Sequence, residues 1–224
     1  MRTALVAGAS GLTGGYCLDL LLNDDAYGKV IALNRSTLPT THSKLVQHTV
    51  DFDHLQESAD LIQADDVFCC LGTTIKKAGS KDAFRKVDLE YPAALARIAS
   101  ANGCGQFLVI SAPESSAKSP FFYGRVKAEM EQTVSTYAFA GGTYIFRPSL
   151  LMGERDEPRF GEDLGIKAFT AMPFVFSGPL KKLRPIEAKA VAGAMIIAAK
   201  STPGGQQVFP SHTIQAMYDR GDMA

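Results

Sequence analysis

Residues 4–15 read ALVAGASGLTGG, a short apolar run that breaks into glycines and resumes as an amphipathic segment. Thr3–Ala7 has the length and apolar content of a buried strand. Gly8, Gly11 and Gly14 follow at three-residue spacing, and Leu18, Leu21 and Leu22 continue at helical spacing. A strand that turns through glycines into a helix makes a diphosphate site. The first glycine permits the tight turn and the second lets the backbone approach the pyrophosphate. The third lets helix and strand pack closely, while the helix N-terminus aims free N–H groups at the anion. Ser10 and Leu12 belong to the same loop, and Thr13 is placed to cap the helix or to donate to phosphate. The alternative is a glycine turn with no ligand. Context favours the ligand, because the glycines directly follow a strand and open a helix.

Working outward, strands and helices alternate. Lys29–Leu33, Leu45–Val50, Asp66–Leu71, Gln106–Ile110 and Gly142–Phe146 read as further strands, with Gln207–Phe209 as a last one. Thr13–Leu22, His54–Ala59, Lys81–Ala101, Phe121–Thr136 and Pro185–Lys200 read as helices. Pro92 must kink or restart the third of these, and Pro185 suits the first turn of the last. Lys76–Gly79 reads as a polar loop, and Ser80 as a helix cap. Ile166–Ala171 reads as a short helix, Pro173–Leu183 as a loop, and the residues after Phe209 as a short, fraying end. The alternation predicts an α/β fold, a Rossmann-type doubly wound parallel sheet with helices on both faces. A chain of 224 residues with 46% hydrophobic content suits one domain, 1–224, in which 151–206 supply a small lobe on the substrate side.

Lysine plus arginine balance aspartate plus glutamate at 23 each, so no global field attracts nucleic acid or an anionic membrane, and neither is expected as a partner. No apolar run reaches membrane-spanning length, and no secretory signal is legible. Cys17, Cys69, Cys70 and Cys104 lack zinc-ligand spacing, and the adjacent pair should face opposite sides of a strand. They read as reduced thiols of a cytoplasmic protein. His42, His48, His54 and His212 make no metal pair, so no metal is expected.

In an open parallel sheet, ligands gather outside the carboxyl ends of the strands. Asn34 and Arg35 end the second strand, where a carboxylate would select a ribose 2′-hydroxyl. The arginine fork matches a 2′-phosphate instead, so NADP(H) is expected over NAD(H). The alternative for Arg35 is an ordinary solvated turn residue. Asp51 and Phe52 end the third strand, where a carboxylate can meet the adenine amino group and backbone can frame the ring. Their alternative is a helix cap by Asp51 or Asp53. Leu71, Gly72 and Thr73 end the fourth strand, and Pro148 and Leu150 follow the sixth.

Tyr123 and Lys127 form Y-x-x-x-K on a predicted helix, so they share one face. A free phenol has a pKa near about 10, and a neighbouring ammonium lowers it. Such a tyrosine passes a proton to a carbonyl oxygen as hydride arrives. Ser111, at the end of the fifth strand, is placed to hold the same oxygen, and Lys127 to hydrogen-bond the nicotinamide ribose. Y-x-x-x-K alone is a common surface pair. Its weight comes from following a strand-end serine in a chain that starts with a dinucleotide loop.

GASGLTGG at 8–15, CCLGTTIKKAGS at 69–80, FRKVDLEY at 84–91, FYGRVKAEME at 122–131, RPSLLMGER at 147–155 and RPIEAKAVAGAM at 184–195 together resemble the short-chain dehydrogenase/reductase superfamily. Within it, the likeness is to the compact, atypical branch of Tat-interactive-protein-like oxidoreductases and their bacterial relatives. The resemblance implies an NADP(H)-binding Rossmann fold with Ser111, Tyr123 and Lys127 as the catalytic residues. It also implies that Gly8, Gly11, Gly14, Arg35, Leu71, Gly72 and Pro148 line the cofactor. Many members add a catalytic asparagine on the helix after the fourth strand. Between Gly72 and Ala101 this chain has none, and Asn102 stands at the wrong end.

The leading expectation is an NADP(H)-dependent oxidoreductase acting on a small carbonyl or alcohol substrate. A non-catalytic NADPH-binding regulator, with a protein partner, is the first rival. A nucleotide-sugar epimerase or dehydratase is the second. A homodimer through the helices at Lys81–Ala101 and Phe121–Thr136 is a further expectation, common in the superfamily. Lys76, Lys77 and Arg184 are candidates to hold an acidic group, against a solvated lysine pair and a loop arginine that packs or pairs with Glu187. Phe121, Phe122, Phe169, Phe174 and Phe176 are candidates to wall a pocket, against buried packing, the commoner job of such residues.

Overall fold

The computed structural model describes residues 1–113, 115–153, 184–201 and 204–221. The expected short helix at Ile166–Ala171, the loop at Pro173–Leu183 and most of the proposed lobe lie outside the described residues. So do Phe169, Phe174 and Phe176.

Seven strands form one sheet: β1 (Arg2–Ala7), β2 (Tyr27–Asn34), β3 (Leu45–Thr49), β4 (Asp66–Cys69), β5 (Gln106–Ile110), β6 (Gly142–Arg147) and, after the short pair β7 (Leu151–Met152) and β8 (Ile186–Glu187), β9 (Gln206–Pro210). Their order is β3-β2-β1-β4-β5-β6-β9, and every neighbouring pair is parallel. The expected doubly wound sheet is therefore observed. Chain order reverses at β1, which opens a crevice at the carboxyl ends of β1 and β4.

Period-two alternation builds two cores. Val6, Phe68, Leu108, Tyr144 and Phe146 face α1 (Leu12–Leu22) and the later helices α6 (Ala188–Ser201) and α7 (Ser211–Gly221). Leu5, Ala7, Val67, Phe107, Val109 and Ile145 face the other layer. That layer holds a 3-10 helix at Phe52–Leu61 that is broken at His54 and Ser58, α3 (Lys81–Arg85), α4 (Tyr91–Ala101) and α5 (Phe122–Val134). Cys69 and Cys70 fall on opposite sides, as adjacency requires. All four cysteines are unpaired.

At the amino ends of the strands, Asp66 is fully buried and collects donors from three elements. Tyr27 Oη donates to Oδ2 at 2.6 Å, while Arg2 and the Gln106 amide donate to Oδ1. Arg2 and Gln106 also donate to the Ala199 carbonyl, which ties α6 to the sheet.

Several expectations need correction. Lys76–Gly79 is not simply loop: Thr74 caps a helical turn, α2 (Ile75–Ala78), which Gly79 ends at φ 83°. Ser80 does cap α3, but the long helix at Lys81–Ala101 is three pieces. Between α3 and α4 lies a π-helical turn, Lys86–Glu90, closed by the Tyr91 N–H on the Lys86 carbonyl. Pro92, in the first turn of α4, accounts for the break. It has no N–H for the Asp88 carbonyl and its ring crowds that oxygen. Pro185 does not open a helix: Ile186 donates its N–H to Leu150 and pairs with β7, so α6 starts only at Ala188. Of the end expected to fray, residues 222–224 lie outside the described residues, and Ser211–Gly221 are ordered. They form α7, whose Ile214 is buried and whose Tyr218 sits where a Cβ on Gly193 would fall. Among the described residues, no helix is long and apolar enough to cross a membrane.

Candidate active site

The glycine loop is built as its spacing suggests. Gly8 has φ +86°, a backbone region that disfavours side chains, and an added Cβ would lie 2.9 Å from the Cys70 carbonyl. A Cβ on Gly14 would lie 2.1 Å from the Gly8 carbonyl, so α1 can approach β1 only because that position is glycine. Gly11, not Thr13, is the N-cap of α1, and no side chain caps it. Thr13 is buried on the first turn instead. The first-turn N–H groups beside Ser10 and Leu12 thus face out of the helix end, where an anion belongs.

At the end of β2, Asn34 is only 2% exposed, and its Oδ1 is buried with no hydrogen-bond partner among the described residues. Arg35 beside it is exposed. Asp51 accepts from the Asp53 N–H at 2.9 Å and so caps the 3-10 helix, the alternative noted above. The Phe52 ring is buried against Tyr91, with centroids 5.5 Å apart, so only its backbone is available to frame a base. Asp53, held below its ordinary value by the Lys86 ammonium and the Tyr91 hydroxyl, ties this corner to the π-helical turn. A helix end with no side-chain cap, a cradle that side chains would fill and a buried carboxamide oxygen at the end of β2, unpartnered among the described residues, fit a dinucleotide.

Tyr123 and Lys127 lie one turn apart on α5 and meet different surroundings. Tyr123 is 40% exposed, its ring 5.5 Å from that of Phe84. Lys127 is 3% exposed. Its Nζ lies 2.8 Å from Asp88 Oδ1 and donates at 3.4 Å to the Ile110 carbonyl, which adjoins Ser111 at the end of β5. Asp88, 1% exposed, also accepts from the Thr73 N–H at 2.8 Å, and a Cβ on Gly72 would come within 3.4 Å of it. Burial works against the lysine's charge, but Asp88 and Tyr123 outweigh it and hold Lys127 above its ordinary value. Burial pushes the Cys69 thiol up to about 12, so it is no nucleophile. Ser111 Oγ lies 2.9 Å from Ser115 Oγ, which donates to the Ala112 carbonyl. In this arrangement the Ser111 proton points to Ser115.

Sequence reasoning missed Asp88 and Ser115. Asp88 stood in the FRKVDLEY stretch, four residues before a mid-helix proline, and that proline was the available signal. Asn102 does serve the fold alone, donating to the Ala59 and Ile62 carbonyls. Ser149 and Ser211, 3.0 Å apart, join the Pro148–Leu150 loop to α7. Arg147 pairs with Glu131 on α5. Lys76 and Lys77 are exposed on α2, and Phe121 is 65% exposed, while Phe122 packs on Phe84.

A family model described as the NAD dependent epimerase/dehydratase family matches residues 4–219. The chain belongs to that family. Among relatives, Protein HTATIP2 of Rattus norvegicus is 38% identical over 176 residues, covering 77% of this chain and 72% of the relative. Protein FMP52, mitochondrial, of Lodderomyces elongisporus is 30% identical over 198 residues, 84% of this chain and 82% of its own. Among solved structures, MoeE5 in complex with UDP-glucose and NAD superposes with a TM-score of 0.70 at 16% identity, over 97% of this chain and 81% of that one. UDP-glucuronic acid 4-epimerase from Bacillus cereus, in complex with NAD, gives 0.69 at 16%, over 93% and 77%. Family membership places the chain among NAD(P)-dependent, oxidoreductase-type enzymes. The expectation of a cytoplasmic protein is overturned, because several FMP52 relatives are mitochondrial by name.

Proposed function

We propose that this member of the epimerase/dehydratase family is an NADP(H)-dependent reductase of small carbonyl compounds. The observation that carries the reading is the division of labour on α5: an exposed Tyr123 hydroxyphenyl group one turn from a buried, ion-paired Lys127. Bound NADPH would supply hydride to the carbonyl carbon. Tyr123 gives its phenolic proton to the carbonyl oxygen, so carbonyl, hydride and proton become an alcohol. Solvent at the half-exposed ring then returns the proton to Tyr123, without a relay through an asparagine. Ser111 hydrogen-bonds the same oxygen by turning its proton from Ser115, which donates to Ser111 in exchange. Lys127 steadies the phenolate and would hydrogen-bond the nicotinamide ribose of a bound coenzyme. Gly8, Gly11 and Gly14 admit the pyrophosphate, and Asn34 and Arg35 hold the ribose end, with Arg35 favouring a 2′-phosphate over a bare hydroxyl.

The test is titration with NADPH and NADH, then a carbonyl screen. Arg35→Ala should weaken NADPH by roughly 10- to 100-fold, the worth of a charged hydrogen bond, and leave NADH unchanged. Tyr123→Phe should bind NADPH normally and lose roughly 100-fold or more in kcat. Equal NADPH and NADH binding, insensitive to Arg35, would remove the cofactor assignment. Unchanged turnover in Tyr123→Phe would remove the mechanism. A second reading, a nucleotide-sugar epimerase or dehydratase, draws on the matching family model. Retention of a UDP-sugar in a native mass spectrum, with no carbonyl reduction, would favour it.

A further inference from the structure

We propose that Asp88 is a positioning residue of this site, which fixes the Lys127 ammonium between the β4 loop and the end of β5 and supplies its counter-charge. The inference rests on the role given to Lys127 above. Both oxygens of Asp88 are used. One lies 2.8 Å from Lys127 Nζ and the other accepts from the Thr73 N–H at 2.8 Å, so the carboxylate bridges α5 to the loop expected to edge the cofactor. The π-helical turn Lys86–Glu90 delivers it, since Pro92 bars the regular helical bond to the Asp88 carbonyl. The turn is itself anchored, through Lys86 and Tyr91, to Asp53 at the head of the 3-10 helix.

The charged and titratable groups that act on the ammonium, among the described residues, come from three elements. Asp88 faces it from the π-helical turn, Tyr123 from its own helix and Cys69 from β4. Cys69 is a neutral thiol and Tyr123 is the proton donor, which leaves Asp88 as the standing negative charge. A lysine this deep with no counter-charge discharges up to about 3–5 units below its ordinary value. A neutral amine would neither steady a phenolate nor hold its place.

The test is a pH titration of the protein without cofactor, with lysine 13Cε-labelled and the Lys127 signal identified by its loss in Lys127→Arg. The expected result is titration at or above the ordinary lysine value of about 10.4 in the wild type, and at least about one unit lower in Asp88→Asn. Asp88→Glu, which keeps the charge, should recover part of the difference. An unchanged Lys127 in folded Asp88→Asn overturns the proposal. Where that variant does not fold, the wild type decides, because a Lys127 titrating below the ordinary range overturns the pair on its own. This readout needs neither cofactor nor substrate, so it stands apart from the carbonyl-reductase reading. Where turnover is measured, the alkaline limb of kcat should move down with Lys127 in Asp88→Asn while KM stays. A limb that does not move counts against the proposal.

Discussion

Lys127 and Asp88 are each almost wholly buried, so neither is replaceable alone. Lys127→Met leaves the Asp88 carboxylate buried and unpaired, which should cost about 3–5 kcal/mol in urea denaturation. The pH dependence follows from the raised lysine. A cation whose folded value exceeds its unfolded value of about 10.4 contributes its stability in full below that value. The contribution is lost as pH rises through the folded value, so wild type and Lys127→Met should converge in stability only in strongly alkaline solution. Gly14 is constrained by geometry rather than charge. With a Cβ 2.1 Å from the Gly8 carbonyl, Gly14→Ala must push α1 off β1, costing about 1–3 kcal/mol in stability and weakening cofactor binding as well. Calorimetry on the folded variant would separate the two losses.

At the scale of elements, the site depends on an irregularity that a proline imposes. Pro92→Ala restores an N–H opposite the Asp88 carbonyl. The expected result is a regular helix through residues 86–95, with the residue-92 amide protected in hydrogen exchange and Asp88 turned away from Lys127. Much of the rest was legible beforehand, because periodicity reports burial directly. The β1 strand, the glycine loop and α1 announced themselves through an apolar run, a three-residue glycine spacing and leucines at helical intervals. Y-x-x-x-K and the strand-end serine were legible for the same local reason. Asp88 was not, since a lone aspartate in a polar helix looks solvated until the turn that carries it is known to face inward. Nor was α7, whose hold on the molecule combines a buried Ile214, the Ser211–Ser149 hydrogen bond and the contact of Tyr218 with Gly193, tertiary matches with no signature in a short polar segment. Pro185 misled because proline serves both at a helix start and just ahead of an edge strand, and only the pairing of Ile186 with β7 decides.

Across the whole molecule the sheet separates two tasks. At the amino ends, Asp66 gathers Arg2, Tyr27 and Gln106, groups that serve the fold and stand far from the glycine loop along the strands. At the carboxyl ends lie the loop, Asn34, Asp88 and α5. Asp66→Ala should therefore lower stability by about 1–3 kcal/mol for each buried donor left unsatisfied. Cofactor affinity, measured on the protein that remains folded, should not change. Tyr123→Phe should do the reverse, changing turnover and leaving the unfolding midpoint in place.

The central position of β1 bears on how the chain is made. Synthesis yields β1, α1 and β2 together, but β1 gains its other neighbour only when β4 is complete, and β5, β6 and β9 follow outward in turn. A nascent chain that has not reached β4 therefore carries the buried apolar run Ala4–Ala7 with one side bare of partners, open to pairing with any extended segment nearby. The glycine loop rests on the Cys70 carbonyl, so it too lacks its floor during that interval. Coenzyme can assist only the later stages of folding on the ribosome, and the early stretch is where a chaperone would have the most to shield.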